Sequence, residues 1–168
     1  MYILLILIAI LLFYLSHSFV CGMTKNGVVG YCNLIPYDSF SYVDGKYTGR
    51  KWECVEFVRR YYQQIFGLTF PSIKNAYDLM ELTSMKSLDG SSSSRCTFHK
   101  KGTPQLHDIL VFGHEIHGHT AIVVKALKGL IHIAEQNWGF WEGSDYSRKI
   151  STKDPTLLGW LRVTPRKG

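Results

Sequence analysis

The stretch that decides the fold is Gly49–Arg60, GRKWECVEFVRR. From about Trp52 to Phe66 the apolar side chains Val55, Val58, Tyr62 and Ile65 recur at helical spacing, and Gly67 supplies a stop. The spacing predicts a helix that opens on a cysteine. A structural cysteine can sit anywhere apolar. One at a helix start meets the positive end of the helix dipole, which favours thiolate over thiol. Cys54 is therefore a candidate nucleophile, and the rest of the chain has to supply its partners.

Downstream, Pro71 and Ser72 open a second expected helix, capped by Ser72 and running to about Ser84. The segment SLDGSSSSRCTFHKKGTPQ, 87–105, reads as a surface loop. The texture then turns to β in DILVF (108–112), HTAIVVKA (119–126), LIHIAEQN (130–137) and LGWLRV (158–163). Helices followed by consecutive strands predict an α+β fold, with N-terminal helices packed on an antiparallel sheet. Lys128-Gly129 marks the hairpin turn between the two middle strands.

Four of the seven histidines crowd between His107 and His119. The run HEIHGHTAIVV misses the zincin pattern, because the position four after His114 is Gly118. His117 and His119 alternate onto one strand face, which leaves a two-histidine metal site as one reading. For His114 and His117 a polar turn is the simpler one. His119 differs because an apolar strand follows it directly. Glu135 comes sixteen residues later, inside an otherwise apolar strand, where a carboxylate is costly unless paired. If the hairpin loop near Lys128 has an odd number of residues, His119, Glu135 and Asn137 share a face. Glu135 would then fix the His119 tautomer and stabilise its imidazolium. The competing reading is a strand-end carboxylate reaching solvent.

A cysteine on a helix, then a histidine and a glutamate on adjacent strands, is the order of papain-like thiol hydrolases. GRKWECVEFVRRYY, GHTAIVVKA, IHIAEQN and LLGWLRV resemble the cysteine, histidine-dependent amidohydrolase/peptidase (CHAP) domain, from about Tyr31 to Val163. Within it, the nearest resemblance is to the amidase domain of bifunctional glutathionylspermidine synthetase/amidase. The resemblance implies a papain-like CHAP fold, with Cys54 as nucleophile, His119 as general base and Glu135 as the residue orienting it. It also implies that Arg59 and Asn137 line the substrate site. That amidase usually has glutamine before the cysteine, and Glu53 stands there instead. A carboxylate cannot donate an amide hydrogen bond, so the oxyanion site falls to backbone N–H groups at the helix start, those of Glu53 and Cys54. The chemistry implied is amide hydrolysis through an acyl-enzyme, with no metal or organic cofactor.

The substrate expected is a small peptide amide such as a glutathionyl-polyamine conjugate, or alternatively peptidoglycan. A reading from another class is a catalytically idle binding module on a membrane stem; the joint presence of Cys54, His119 and Glu135 argues against it.

At 168 residues the chain is long enough for one domain with a sizeable core. The net charge is +6, but the basic pairs Arg50-Lys51, Arg59-Arg60, Lys100-Lys101 and Arg166-Lys167 are scattered. No basic stripe interleaved with aromatics forms, so nucleic acid is not an expected partner. A weak attraction to anionic surfaces is the more modest inference. Cys21, Cys32, Cys54 and Cys96 show no C-x-x-C spacing, which excludes zinc-ribbon and thioredoxin-type sites. A disulfide among Cys21, Cys32 and Cys96 stays open. No charged side chain precedes Lys25, and Tyr2–Val20 is long enough to cross a bilayer as a helix. A basic n-region is missing. Residues 1–21 are therefore expected to be a single-pass transmembrane signal anchor and 22–168 the catalytic domain. Lys25 on the C-terminal flank points to a cytoplasmic domain. The alternative is secretion after cleavage near Ser16-His17-Ser18.

Overall fold

The apolar N-terminal run forms helix α1 (Tyr2–Ser16), and the stretch quoted above forms α2 (Cys54–Phe66). The strands are β1 (Val20–Met23), β2 (Val29–Tyr31), β3 (Phe40–Val43), β4 (Lys46–Arg50), β5 (Leu68–Thr69), β6 (Ser84–Ser87), β7 (Ser93–His99), β8 (Ile109–Phe112), β9 (His119–Leu127), β10 (Leu130–Ala134), β11 (Arg148–Ser151) and β12 (Leu157–Thr164). This computed structural model describes residues 2–16, 19–33, 38–138 and 148–164. Eight strands form one antiparallel sheet in the order β11-β10-β9-β8-β12-β7-β6-β5; β1–β2 and β3–β4 are separate hairpins.

Two expectations are overturned here. The first is the α+β papain-like arrangement of N-terminal helices on a sheet. The structure is mostly β-sheet, and α2 is the one long helix packed on it among the described residues. The expected helix from Pro71 to Ser84 shrinks to a 3-10 segment, Ala76–Glu81. Its last residues are claimed by the sheet instead, because Ser84, Met85 and Lys86 pair with Arg95, Ser94 and Ser93. The serine-rich segment taken as a loop contains β7. Its side chains alternate in and out, with Ser94 and Cys96 buried. Polar residues on both faces hid that period.

The second correction concerns the membrane. Helix α1 has 15 residues, about 22 Å at 1.5 Å per residue, against a hydrocarbon core of about 30 Å. Val20 and Cys21, expected at the end of the span, lie in β1 instead, and Cys21 is disulfide-bonded to Cys32. Among the described residues no helix is long and apolar enough to cross a membrane, so a single-pass membrane location is not supported. His17 and Ser18 of the alternative cleavage site lie outside the described residues, as do Arg166 and Lys167.

The core explains where α2 lies. Its buried face carries Phe57, Val58, Tyr61 and Tyr62, which pack with Ile109, Val111, Ile122 and Leu161 on one side of the sheet. Each such side chain contributes roughly 1.5 to 3 kcal/mol by leaving water. Alternate residues Leu110, Phe112, Ala121 and Val123 form a second cluster with Ile131, Ile133 and Trp160. The central strands are apolar on both faces, which is why they read as continuous apolar runs. At the helix C-terminus Gly67 adopts a left-handed φ of 63° and returns its N–H to Gln63 O. Strand β4 crosses α2 closely at Gly49. A Cβ built there would lie 2.9 Å from the Glu56 Cβ, so a side chain would push the helix away.

The register of β9 against β10 decides which residues meet. The turn is the expected Lys128-Gly129, which has two residues, an even number. An unbroken ladder would put Glu135 on the opposite face from His119. The pairing shifts instead, from Lys125↔His132 to Val123↔Ile133, leaving Val124 unpaired. This one-residue bulge restores the parity that the turn alone would deny. His119 and Glu135 then lie on the same face.

Candidate active site

Helix α2 brings Cys54 to its first position, and β9 brings His119 to the neighbouring strand end. Both line a cleft of about 720 Å³, together with Glu53, Arg59, His117 and Asn137. Cys54 is 9 % exposed and His119 2 %. The backbone of Thr120, next to His119, contacts the Cys54 sulfur. No hydrogen bond joins the thiol to the His119 ring among the described residues. The ring instead points Nε2 at Glu135, with Nε2 and Oε2 2.9 Å apart. That contact commits Nε2 as donor to a carboxylate and leaves Nδ1 as the acceptor nitrogen.

Glu135 lies immediately past β10 and is fully buried. Its second partner is Arg148, the first residue of β11. Arg148 Nε donates to Oε1 at 2.6 Å, and its terminal NH2 donates to Oε2 at 2.9 Å. The Arg148 guanidinium also lies 3.9 Å over the Trp138 ring, and Trp138 packs 4.6 Å from the His119 ring. A solvent-reaching carboxylate, the competing reading of Glu135, does not describe this environment.

The electrostatics follow from burial. Burial pushes the Cys54 thiol up to about 12; backbone groups of Thr120, Val55 and Cys54 itself act against it, and the Glu53 carboxylate reinforces it. The helix start thus helps the thiolate, as expected, but desolvation outweighs it. Burial also pulls His119 below the ordinary imidazole value; Glu135 opposes this, while Arg148 and His114 add to it. For Glu135, burial acts upward, but the bonds from His119 and Arg148 outweigh it and hold the carboxyl below its ordinary range. The resting arrangement is a thiol, a neutral imidazole and an ionised carboxylate.

The remaining expected site residues divide. Asn137 lies on the cleft with a left-handed φ of 60°, and its Nδ2 donates to Glu53 Oε2 at 2.7 Å. Glu53 precedes the helix without capping it through its side chain, and its backbone N–H is donated to Arg50 O. Arg59 lines the cleft, yet its guanidinium donates to three main-chain carbonyls, those of Thr48, Phe70 and Pro71. His117 pairs elsewhere, with Nδ1 2.8 Å from Asn75 Oδ1. His114 packs edge-on against Trp138. Among the described residues no three His, Cys, Asp or Glu side chains converge on one point. Gly118 must be glycine here: its φ is 68°, and a Cβ would lie 2.9 Å from the Tyr77 ring.

Sequence reasoning missed Arg148, Trp138 and Gln136. Gln136 is buried between Glu56, Arg60 and the Glu53 carbonyl, and it accepts the Tyr31 N–H, so it ties α2 to the end of β10. A buried glutamate beside a histidine calls for a further cation. That signal calls for a basic partner without saying which residue supplies it.

The CHAP domain family model matches residues 45–137, more than half of the chain and the part that holds Cys54, His119 and Glu135. The bifunctional glutathionylspermidine synthetase/amidase of Escherichia coli (strain K12) is 28% identical over 147 residues, covering 74% of this chain and 24% of that protein. Glutathionylspermidine synthase of Crithidia fasciculata is 33% identical over 138 residues, with 68% and 19% covered. Trypanothione synthetase from the same organism is 27% identical over 120 residues, with 66% and 18% covered. The chain therefore spans about a quarter or less of the length of these relatives. The chain belongs to the CHAP domain family, and it is a cysteine amidohydrolase/peptidase.

Proposed function

We propose that this enzyme cleaves an amide bond through a Cys54-His119-Glu135 triad, within a catalytic unit of residues 22–168. The observation that carries the reading is that His119, which lines the same cleft as Cys54, pairs its Nε2 with a fully buried Glu135. Nδ1 of His119 takes the thiol proton as the Cys54 sulfur bonds to the carbonyl carbon. The C–N bond then breaks, and the imidazolium returns the proton to the leaving amine. Water, deprotonated by the same nitrogen, hydrolyses the thioester and releases the acid. Glu135 holds the ring and stabilises its charged form. The oxyanion is bound by the Cys54 backbone N–H, since the Glu53 N–H is already donated to Arg50 O. Arg59 and Asn137 shape the wall of the substrate site.

The substrate class favoured is a small peptide amide, in the manner of the glutathionylspermidine amidase to which the chain is similar. A peptidoglycan stem peptide is the second reading. It is favoured by the Cys21–Cys32 disulfide, with Cα atoms 5.2 Å apart, because structural disulfides persist in oxidising compartments outside the cytosol. Assaying the purified protein in parallel on glutathionylspermidine and on muropeptides tests both. Wild type is expected to release free amine from one of them, and Cys54→Ala to release none while keeping its circular dichroism. Full turnover by Cys54→Ala would end the nucleophile assignment.

A further inference from the structure

Arg148 is absent from the triad, yet it makes the tightest contacts near it. It stands opposite Ile133 in the β10–β11 ladder, so Glu135 is its diagonal neighbour, within reach of a long side chain. Its fork engages both Glu135 oxygens, and Oε2 is the same oxygen that accepts the hydrogen bond from His119 Nε2. Its flat face lies on Trp138 at 3.9 Å and 5.4 Å from the Phe112 ring. Both aromatics also pack against the His119 ring, Trp138 at 4.6 Å and Phe112 at 6.0 Å. Arg148 therefore touches three side chains that pack on or bond to His119, namely Glu135, Trp138 and Phe112, and it is not among the residues lining the cleft.

We infer that Arg148 is a positioning residue of the hydrolytic machinery: by gripping both Glu135 oxygens and stacking on Trp138 it fixes the plane of His119, and it shares the charge of the carboxylate that His119 bonds. The inference rests on the triad reading given above. Two consequences follow. A carboxylate serving the imidazole alone would stabilise the imidazolium strongly and keep the histidine charged, unable to act as base. A guanidinium on the same oxygens offsets part of that charge and favours the neutral, accepting ring. The fork also prevents Glu135 from rotating away when the ring is neutral and the Nε2 bond is weakest.

Several titratable or charged groups face His119. Among the described residues these are Glu135 from the end of β10, Arg148 from β11, His114 from the loop after β8, and Cys54 from α2. Glu135 favours the protonated ring, while Arg148 and His114 disfavour it. Removing the Arg148 charge therefore has a defined sign: the ring must hold its proton to higher pH.

Two substitutions separate charge from shape. Arg148→Gln removes the charge; Arg148→Lys keeps it but loses the fork. The histidine-ring NMR titration of His119, recorded in a Cys54→Ala background, reads the coupling without any need for turnover. Arg148→Gln is expected to move the His119 midpoint upward by roughly one pH unit, and Arg148→Lys to leave it near wild type. In the active enzyme, Arg148→Gln should shift the acid limb of kcat/KM upward by a similar amount. Both variants should lower kcat about ten- to a hundredfold with KM little changed, because misplacing the base affects the reaction more than binding. A His119 midpoint in Arg148→Gln equal to wild type, with native circular dichroism, overturns the inference. So does an acid limb that stays put while activity merely drops. The triad reading fails separately, if Cys54→Ala retains turnover.

Discussion

Glu56 and Glu135 are both fully buried, and each is gripped through both oxygens by an arginine. Glu56, on α2, is held by Arg60 at 2.8 and 3.1 Å; Glu135, past β10, is held by Arg148 at 2.6 and 2.9 Å. The third partner separates them. Glu56 receives Gln136 Nε2, and Arg60 also donates to the Val29 carbonyl, so that cluster joins α2 to β2 and to the end of β10. Glu135 receives His119, whose other nitrogen is free to serve the cleft. Consecutive residues, Glu135 and Gln136, thus send their side chains to opposite duties. A buried ion pair is by itself a structural device. It serves chemistry where a titratable ring is interposed between it and a cavity.

This contrast predicts a dissociation between activity and stability. Glu135→Gln is expected to lower turnover by several orders of magnitude, as loss of a triad acid does elsewhere. Its stability should change less, because the Arg148 side chain is 21% exposed and can reach water when its partner is neutralised. Glu56→Gln should do the reverse. Arg60 is only 3% exposed and would keep a buried charge without its carboxylate, a loss of roughly 3 to 5 kcal/mol. The remaining folded molecules should turn over near the wild-type rate. Urea unfolding and kcat measured on the same preparations read both. Equal losses of activity and stability in the two variants would erase the distinction.

A smaller effect is expected at Glu53. Its carboxylate adds to the burial that raises the Cys54 thiol, so Glu53→Gln should lower the thiol pKa. Alkylation of Cys54 should accelerate at a fixed pH below that pKa, by severalfold at most, because burial is the larger cause. An unchanged alkylation rate would mean that Glu53 acts only through Asn137.

Several of these residues were legible in the sequence. Helix α2 showed because Val55, Val58, Tyr62 and Ile65 keep helical spacing and Gly67 ends it. Membership of the CHAP family was visible in the motifs around Cys54, His119 and Glu135, and with it the idle binding-module reading falls. What was not legible depends on register and on long-range pairing. The Val124 bulge, which puts Glu135 on the His119 face, leaves no mark in a smoothly apolar strand. Arg148 opens RKIS, a short charged segment that becomes a strand only by pairing with β10. Strand β7 was hidden by serines, and β6 drew away the end of an expected helix. The N-terminal run announced a helix but not its length: the chain enters β1 at Val20, where the Cys21–Cys32 bridge fixes it.

The two free cysteines offer the most direct test of the central claim, that Cys54 is the nucleophile served by His119. Burial pushes both thiols up to about 12, Cys54 in the cleft and Cys96 in β7. Only Cys54 shares a cleft with His119. The measurement is iodoacetamide labelling of the native protein across pH 5 to 10, with peptide mapping and amidase activity read on the same samples. The account predicts stoichiometric labelling at Cys54, loss of activity in proportion, and slower labelling in His119→Ala, with Cys96 untouched until the protein unfolds. Labelling of Cys54 with activity intact, or equal labelling of Cys54 and Cys96 in the folded protein, would contradict it.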